Sequence, residues 1–591
     1  MKKKNIIKIV GISFLYALGV ATALIWIGHY NSGQLKNQLT WVIPRVLEIN
    51  FCLIILAIIL NLRLVKKAFS PVSKRAWILL LTIMILGTAV TAFEAPRIHR
   101  IFYDEDIYLN IGQNIACEKR AGMCNNGETL YGVYSCHQLQ YAKEPYAWPY
   151  LVSVLYQVAG ISHMGVHILN NVLWALSIAV VFVLAFLFFR DEKAGLYAAL
   201  LLAILPEGIR WSNTTAAETS AALFGGLALL SLVWFIRNAD TRTLFLAVTT
   251  LAFAFQFRPE SVLIMVPAGL ALLVMMPKEC MRQRFYVFLL VLLVLSLPHI
   301  VHLYCVRSEN WGAPLNSSKL ALAYFYKNIA VNGPFYYINQ RFPLIVTLLA
   351  IVGMVMPLSR AQGSSSSMPG SLSRGVVWGS FAGREKMIIV SWFLAFWGIF
   401  LFFYAGSYNY GADVRFSLLS HMPLALMGGY GAAQLCRWIH GMCKTKHAEV
   451  ALSIVIVISF LSFMPYIRAA TQEAWSSRFD HRFAKKIADS IPDHSMIFTH
   501  NPNMFLLWGK NAAQASIAMS GDSNLRNFFR RYTGGVYFHY NYWCTVNSYA
   551  QPALCNNILK KFHTEKIMWE SERGKQFALY RLHMKEPDGS R

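Results

Sequence analysis

About thirteen apolar runs between residues 9 and 466 constrain the fold of this chain more than any other feature. Each is close to the roughly 20 residues that cross the hydrocarbon core of a bilayer as a helix. Because 56% of the 591 residues are hydrophobic and only 14% are charged, a soluble globular fold is excluded. The sequence therefore predicts a polytopic α-helical membrane protein. The predicted spans are Ile9–Ile27, Val46–Leu62, Trp77–Phe93, His167–Phe189, Ala194–Ile209, Ser220–Ile236, Leu244–Phe257, Val262–Met276, Phe285–Leu303, Leu344–Leu358, Met387–Phe403, Phe416–Leu435 and Val450–Tyr466.

The basic residues indicate topology rather than nucleic-acid binding. The formal net charge is +25, but Lys and Arg are concentrated in short tracts between the apolar runs, a pattern typical of cytoplasmic loops. With these tracts inside, the connection 94–148 and the tail after Ile467 face outward. We therefore predict a multi-pass protein of the cytoplasmic membrane, with the lipid bilayer as a partner and no nucleic acid. The tracts are residues 1–4, 63–75, 190–193, 237–242, 278–284, 360–386 and 437–446.

Two segments differ from the apolar runs. Residues 362–383 are rich in Ser and Gly and are typical of a flexible linker. The tail contains a helical pattern at 483–491, a strand-like run at 496–499 and late apolar runs that predict a hairpin, so we expect a small C-terminal α/β domain. The predicted domains are residues 1–70 with additional N-terminal helices, 71–470 as the main membrane module with an outer loop at 94–150, and 471–591 as an extracytoplasmic domain.

Three consecutive carboxylates, Asp104, Glu105 and Asp106, stand in the predicted outer loop soon after an apolar run. A carboxylate at a membrane surface can act as a general base that takes the proton of an acceptor hydroxyl. Adjacent carboxylates also raise the pKa of one of them, which favours a base that works near neutral pH. The alternative is structural, because the apolar spacing over 107–115 predicts an amphipathic helix, and acids at its start would cap it and interact favourably with its dipole.

Three motifs carry a resemblance to a known superfamily. They are Asp104-Glu105 in the first outer loop, Pro206–Ala222 with Glu218 in the next short outer turn, and Asp413-Val414-Arg415-Phe416 at the start of a late apolar run. In this arrangement the chain resembles the GT-C superfamily, and most of all the bacterial relatives of the protein O-mannosyltransferases and the lipid A aminoarabinose transferases. The chain departs from them at Leu419, where their late motif has a proline.

The resemblance implies an inverting glycosyltransferase. Such an enzyme moves a sugar from a polyprenyl-phosphate-linked donor to an extracytoplasmic acceptor, on the periplasmic or extracellular side of the membrane. Asp104 would then be the catalytic base, Glu105 would orient the acceptor or share its proton, and Asp106 is a third candidate for the base.

The donor phosphate needs positive charge, which arginine supplies through planar, bidentate contacts. Arg415, Arg258 and Arg210 stand at predicted outer ends of spans, where basic residues are disfavoured and need a reason. The alternative for these arginines is contact with lipid headgroups. The candidates for substrate binding are Glu218, Glu260, Asp413 and Tyr108, of which the two glutamates could equally form structural ion pairs with the arginines.

No metal cofactor is expected to be required, because the arginines already supply positive charge to a monophosphate leaving group. The alternative is a Mg²⁺ or Mn²⁺ site formed by carboxylate oxygens of the acidic loop together with Asp413. His163 and His167 are one helical turn apart. Since no outer acid is predicted beside them, we interpret them as interfacial residues rather than metal ligands.

Six of the ten cysteines are predicted to face outward, into a compartment that permits disulfides. Cys544 and Cys555 are the expected pair. The sequence leaves open how Cys117, Cys124 and Cys136 of the first outer loop are paired, if they are.

Two other functions fit part of the pattern. An envelope polysaccharide polymerase or ligase uses similar lipid donors, and would make the loop 306–342 more important than Asp104. A lipid-sugar transporter or flippase would carry ionisable residues at mid-span and internal repeats, whereas these predicted spans have almost no charge at their centres and show no repeat. The sequence does not select among a lipid, a glycan and a protein as the acceptor.

Overall fold

The computed structural model describes residues 3–309, 318–338, 341–357, 383–409, 411–443, 447–469, 474–546 and 550–585. Within them the chain is mostly helical and contains one seven-stranded sheet. The predicted linker at 362–383 lies, except for its last residue, outside the described residues.

Helices form almost all of the described chain before the tail, and short 3-10 segments such as 259–264 and 411–420 connect some of them. The helices are α1 Lys3–His29, α2 Ser32–Phe69, α3 Lys74–Glu94, α4 Asp104–Glu118, α5 Ala147–Ala159, α6 His163–Phe189, α7 Glu192–Ala203, α8 Pro206–Ser212, α9 Glu218–Asn238, α10 Thr241–Ala254, α11 Met265–Met275, α12 Pro277–Cys280, α13 Gln283–Val306, α14 Phe325–Asn332, α15 Leu344–Val355, α16 Arg384–Phe402, α17 His421–Cys443, α18 Ala448–Leu461 and α19 Met464–Arg468.

Within the described ranges, six helices are long and apolar enough to cross a membrane, namely α2, α3, α6, α9, α13 and α16. The pair α7 and α8 is a seventh candidate, bent by 64° at its break. The bend falls where Pro206 begins α8, since proline lacks an N–H and suits the first turn of a helix. Each predicted run coincides with a helix, and the chain is a multi-pass membrane protein. The predicted number of thirteen full spans is confirmed only in part, because α10, α11, α15 and α18 are shorter.

The sheet lies outside the apolar helices and has the strand order β2-β1-β4-β3-β5-β7-β6. Its two middle pairings, β3 with β4 and β3 with β5, are parallel, and the others are antiparallel. The strands are β1 Met123–Leu130, β2 Val133–Gln140, β3 Met496–Thr499, β4 Asn511–Gln514, β5 Val536–Tyr540, β6 His563–Glu572 and β7 Lys575–His583. The tail helices are α20 Trp475–Ser490, α21 Pro502–Leu507, α22 Asp522–Arg531 and α23 Gln551–Lys561.

The sheet joins the first predicted outer loop to the tail. Asn126 and Gly127 of β1 pair with Ala513 and Ala512 of β4. The two segments therefore lie on the same side of the membrane module. An even number of crossings must separate them, and the ten predicted runs between them satisfy this condition.

The strand at 496–499 and the late hairpin predicted in the tail are present as β3 and as β6 with β7. The β1–β2 hairpin is missed by the sequence-based prediction. It turns at Tyr131-Gly132, where both residues have positive φ values of 52° and 79°, as a tight two-residue hairpin turn requires. The strands themselves show little alternation of apolar and polar residues, so only the turn gave a sequence signal.

Candidate active site

Helix α4 begins with the three acidic residues and is held firmly against α5. Its buried face includes Ile111 and Ile115, and a Cβ atom at Gly112 would lie 2.7 Å from Cγ1 of Val152, so the two helices approach closely because this position is glycine. Successive residues of a helix are about 100° apart around its axis. The three adjacent carboxylates therefore point to three different surroundings.

Glu105 is fully buried and saturated with hydrogen bonds. Its Oε1 accepts from the backbone N–H groups of Arg100 at 2.5 Å and Ile101 at 3.2 Å. Its Oε2 accepts from the backbone N–H and the hydroxyl of Thr215, both at 2.8 Å. The predicted role in orienting the acceptor does not fit this geometry. Glu105 instead fastens the start of α4 to the turn before α9.

Asp106 faces a group of histidines rather than the surroundings of Asp104. Its Oδ2 lies 3.6 Å from Nδ1 of His99, and its Oδ1 lies 3.5 Å from Nε2 of His481. His163 belongs to the same group. One expectation is thereby corrected, because His163 does have an acidic residue beside it. The role of Asp106 as an alternative base stays a prediction, although its carboxylate faces these histidines.

Asp104 is directed toward charged side chains of neighbouring elements. Burial raises the pKa of its carboxyl above the ordinary value, Lys143 and Arg415 act to lower it, and Glu218 and Glu105 add to the increase. The side chain keeps partial exposure. Of the three carboxylates, Asp104 alone combines access from outside with cationic neighbours that are not on its own helix.

Glu218, the first residue of α9, brings two of the predicted arginines together. Its Oε1 accepts a hydrogen bond from Nη1 of Arg258 and lies 2.9 Å from Nε of Arg415. Arg258 also pairs with Glu260. Oε2 of Glu218 is buried and has no hydrogen-bond partner among the described residues. Two guanidinium groups predicted to bind the donor phosphate are thus held at one point.

Lys143 and Glu144, at the end of the first outer loop, are missed by the sequence-based prediction. Burial and the nearby Asp104 raise the pKa of Glu144 to about 7, while Lys143 acts to lower it. Tyr108, one turn after Asp104 on α4, is buried, and the charges of Asp104, Glu218 and Glu144 add to the effect of burial in raising the pKa of its phenol. The only signal in the sequence is the position of Lys143-Glu144 directly before the aromatic start of α5.

Arg210 belongs to a separate buried network around Glu207. Its Nη1 lies 3.7 Å from Oε1 of Glu207, and its guanidinium carbon is 4.3 Å from the centre of the Tyr466 ring. Arg100 approaches the other carboxylate oxygen at 3.5 Å. Arg210 is only 4% exposed and joins α8 to α19; its predicted contact with the donor phosphate stays a prediction.

The remaining predicted residues lie elsewhere. The side chain of Asp413 is outside the described part of the structure. Cys124 is bonded to Cys136 across the β1–β2 hairpin, and Cys544 is bonded to Cys555 in the tail. Cys117 is an exposed thiol that forms no disulfide.

A family comparison covers most of the clustered residues. Residues 143–302 match the family of dolichyl-phosphate-mannose-protein mannosyltransferases. The matched segment begins at Lys143 and includes Glu218, Arg258 and Glu260. No curated protein matches the chain significantly.

Solved structures give an independent comparison. ArnT from Cupriavidus metallidurans bound to undecaprenyl phosphate has a TM-score of 0.51 and 11% identity, over 86% of this chain and 98% of that chain. ArnT in the apo state gives 0.51 and 11% over 85% and 97%. The oligosaccharyltransferase AglB from Archaeoglobus fulgidus, with an inhibitory peptide and a dolichol-phosphate, reaches only 0.44 and 11% over 84% and 74%, too weak a likeness to define a shared fold.

The family match and the fold shared with ArnT confirm the resemblance predicted from the three motifs. The chain is a multi-pass membrane protein with the fold of the GT-C glycosyltransferases.

Proposed function

We propose that the chain is an inverting glycosyltransferase that moves a sugar from a polyprenyl-phosphate donor to an acceptor at the extracytoplasmic face of the membrane. The observation that carries this proposal is one accessible acid, Asp104, which interacts electrostatically with Lys143, Arg415 and Glu218, beside the pairing of Glu218 with Arg258 and Arg415. This group combines a candidate base with several donors for a phosphate. It lies at the ends of helices on the side that carries the sheet.

The proposed reaction uses these groups in defined roles. Asp104 takes the proton of the acceptor hydroxyl as its oxygen bonds to the anomeric carbon, and the bond from that carbon to the phosphate oxygen breaks on the opposite face. A positioned base typically contributes ~10²- to 10⁴-fold in rate. Arg415, Arg258 and Lys143 stabilise the negative charge that develops on the departing phosphate.

Glu218 holds the two arginines before the donor arrives. A phosphate that enters the group competes with the carboxylate for the same guanidinium N–H groups, so these side chains are positioned in advance rather than ordered on binding. This arrangement needs no divalent ion at the phosphate, because positive charge is already present.

The donor class is supported by the relative that shares the fold, since ArnT was solved with undecaprenyl phosphate. The rival that places essential residues in the loop 306–342 finds less support in the described part of that loop. There the amides of Asn328 and Asn332 donate to backbone carbonyls of residues 400–406, which is a structural use.

The proposal is tested by deleting the gene and comparing the lipids and glycans of the cell envelope by mass spectrometry. We expect one glycosylated species to disappear and to return with the wild-type chain or with Asp489→Asn, which makes the same chemical change at an exposed acid of α20. Asp104→Asn should be produced in normal amounts and fail to restore it. An unchanged profile in the deletion strain, or full restoration by Asp104→Asn, would contradict the proposal.

A further inference from the structure

A second polar cluster, on another side of α4, is used by neither the proposed reaction nor the helix cap. It consists of His99 before α4, Asp106 in its first turn, His163 at the start of α6 and His481 on α20. One ligand atom from each of the four residues lies within 4.8 Å of the other three. His99 and Asp106 are buried, and the other two are half-buried.

Ordinary hydrogen bonds do not explain this cluster. The two distances from Asp106 to its histidine neighbours, 3.6 Å and 3.5 Å, exceed the usual ~2.7–3.2 Å of an N–H···O bond. Oδ1 of Asp106, Nε2 of His163 and Nε2 of His481 have no hydrogen-bond partner among the described residues. Buried polar atoms without a partner are costly, so three of them in one cluster require an explanation.

Two of the spacings are near the separation of ligands on a common ion. With bonds of about 2.0–2.1 Å, two ligand atoms on a tetrahedral Zn²⁺ are separated by roughly 3.3–3.4 Å. The distances to Asp106 are 3.5 Å and 3.6 Å, one to each carboxylate oxygen, and ligand atoms of all four residues lie within 4.8 Å of one another. Imidazole nitrogens with one carboxylate oxygen suit zinc, whereas Mg²⁺ and Ca²⁺ prefer oxygen ligands alone. Four protein ligands leave no open position, which is the pattern of a structural rather than a catalytic zinc.

The ligands come from two parts of the chain, which also meet through the pairing of β1 with β4. His481 belongs to the tail, and the other three belong to the loop and helices of the membrane module. The neighbouring residue Asp480 accepts a hydrogen bond at 2.8 Å from the hydroxyl of Tyr103, so α20 already lies against the start of α4. An ion at this position would join the tail to the helix that carries Asp104.

We propose that His99, Asp106, His163 and His481 bind one Zn²⁺, which fastens the tail to the membrane module. This proposal does not depend on the proposed glycosyl transfer, because metal binding can be measured without substrate. Its failure and the failure of the proposed function are therefore distinguishable.

The test uses the full-length protein in detergent, carrying an affinity tag without histidines. The protein is treated with a chelator, incubated with Zn²⁺, Mn²⁺ or Mg²⁺, passed through gel filtration and measured for bound metal by mass spectrometry. We expect about one zinc ion per chain to be retained, and neither of the other ions. Incubation with Co²⁺ should give the intense visible absorption of a tetrahedral site with nitrogen and oxygen ligands.

Variants locate the ion. His163→Ala and His481→Ala should bind zinc at least ~100-fold more weakly, more than the 10- to 100-fold typical of losing a partner that only orients a ligand. His563→Ala, an exposed histidine of β6, is the matched control and should bind zinc like the wild type. Zinc retention below a tenth of an ion per wild-type chain overturns the proposal whether or not a variant folds, and so does equal affinity in correctly folded His481→Ala.

Discussion

Nε of Arg415 lies 2.9 Å from Oε1 of Glu218, and this contact ties the 3-10 segment 411–420 to the first residue of α9. Arg258 donates to the same oxygen. One carboxylate oxygen thus balances two guanidinium groups, while the second oxygen of Glu218 is buried without a partner among the described residues. Arg258 also pairs with Glu260, so an incoming anion would compete with both carboxylates for these guanidinium groups.

Replacing Arg415 should weaken phosphate binding. Arg415→Ala removes a charge-assisted donor worth roughly 1.5–3 kcal/mol, so we expect the affinity for undecaprenyl phosphate to fall about 10- to 100-fold. Arg415→Lys should restore only part of it, because an ammonium group cannot bind bidentately. Binding is measured through the shift of the melting temperature with added undecaprenyl phosphate.

The matched control for this change is Arg437→Ala. Arg437 is an exposed arginine in α17 that pairs with Asp191. It should bind undecaprenyl phosphate like the wild type. Equal affinities of Arg415→Ala and the wild type would remove Arg415 from the phosphate site.

Neutralising Glu218 should have opposite effects on two properties. It should lower the stability of the protein without ligand, because Glu218 positions the two arginines, and it should strengthen the binding of phosphate to them. Glu218→Gln leaves two guanidinium groups short of their shared counter-charge, and losing one partner of a buried ion pair costs on the order of 3–5 kcal/mol. We therefore expect a lower melting temperature without ligand and a larger increase with undecaprenyl phosphate than in the wild type. A smaller increase would show that Glu218 contributes directly to phosphate binding. It would contradict the view that its carboxylate only occupies the place of the phosphate between the two arginines.

Glu105 and Asp104 should respond differently although they are adjacent. In Glu105→Gln, the new amide group meets the Thr215 N–H or the N–H groups of Arg100 and Ile101, so at least one buried donor loses its acceptor at a cost of about 1–3 kcal/mol. The melting temperature of Glu105→Gln should fall, while that of Asp104→Asn should not. Equal stability of the two variants would contradict the structural role of Glu105.

The sequence predicts the helical membrane module well, because apolar runs of span length and basic tracts are signals that each segment carries by itself. Four of its predicted site residues, Asp104, Glu218, Arg258 and Arg415, lie in one group in the structure. The two arginines are predicted because basic residues are disfavoured at outer ends of apolar runs, and the two acids because of the motifs that carry the resemblance. The sequence does not predict which residues contact each of the three adjacent acids. That outcome depends on which faces of α4 meet Thr215 and α20, and such contacts are not encoded within a local stretch.

The same limit applies to the sheet and to the histidine cluster. β1 and β2 are completed by strands of the tail that lie far away in sequence, so their own pattern is weak. His99, His163 and His481 are separated by long stretches of chain and share no spacing. The packing of α6 and α20 near the start of α4 brings His163 and His481 to Asp106 and His99.

Glu144 should make the stability of the protein depend on pH. Burial raises its pKa from the ordinary 4.5 to about 7, so the folded state binds this proton more tightly than the unfolded state. The resulting stabilisation is fully present below pH 4.5 and is lost as the pH rises to 7, by on the order of 3 kcal/mol.

The variant Glu144→Gln tests this dependence, because its side chain cannot ionise. Its melting temperature should therefore fall less than that of the wild type between pH 5 and pH 8, whereas Glu565→Gln, at an exposed position of β6, should follow the wild type. Parallel curves for wild type and Glu144→Gln would show that the carboxyl of Glu144 is ionised throughout this range.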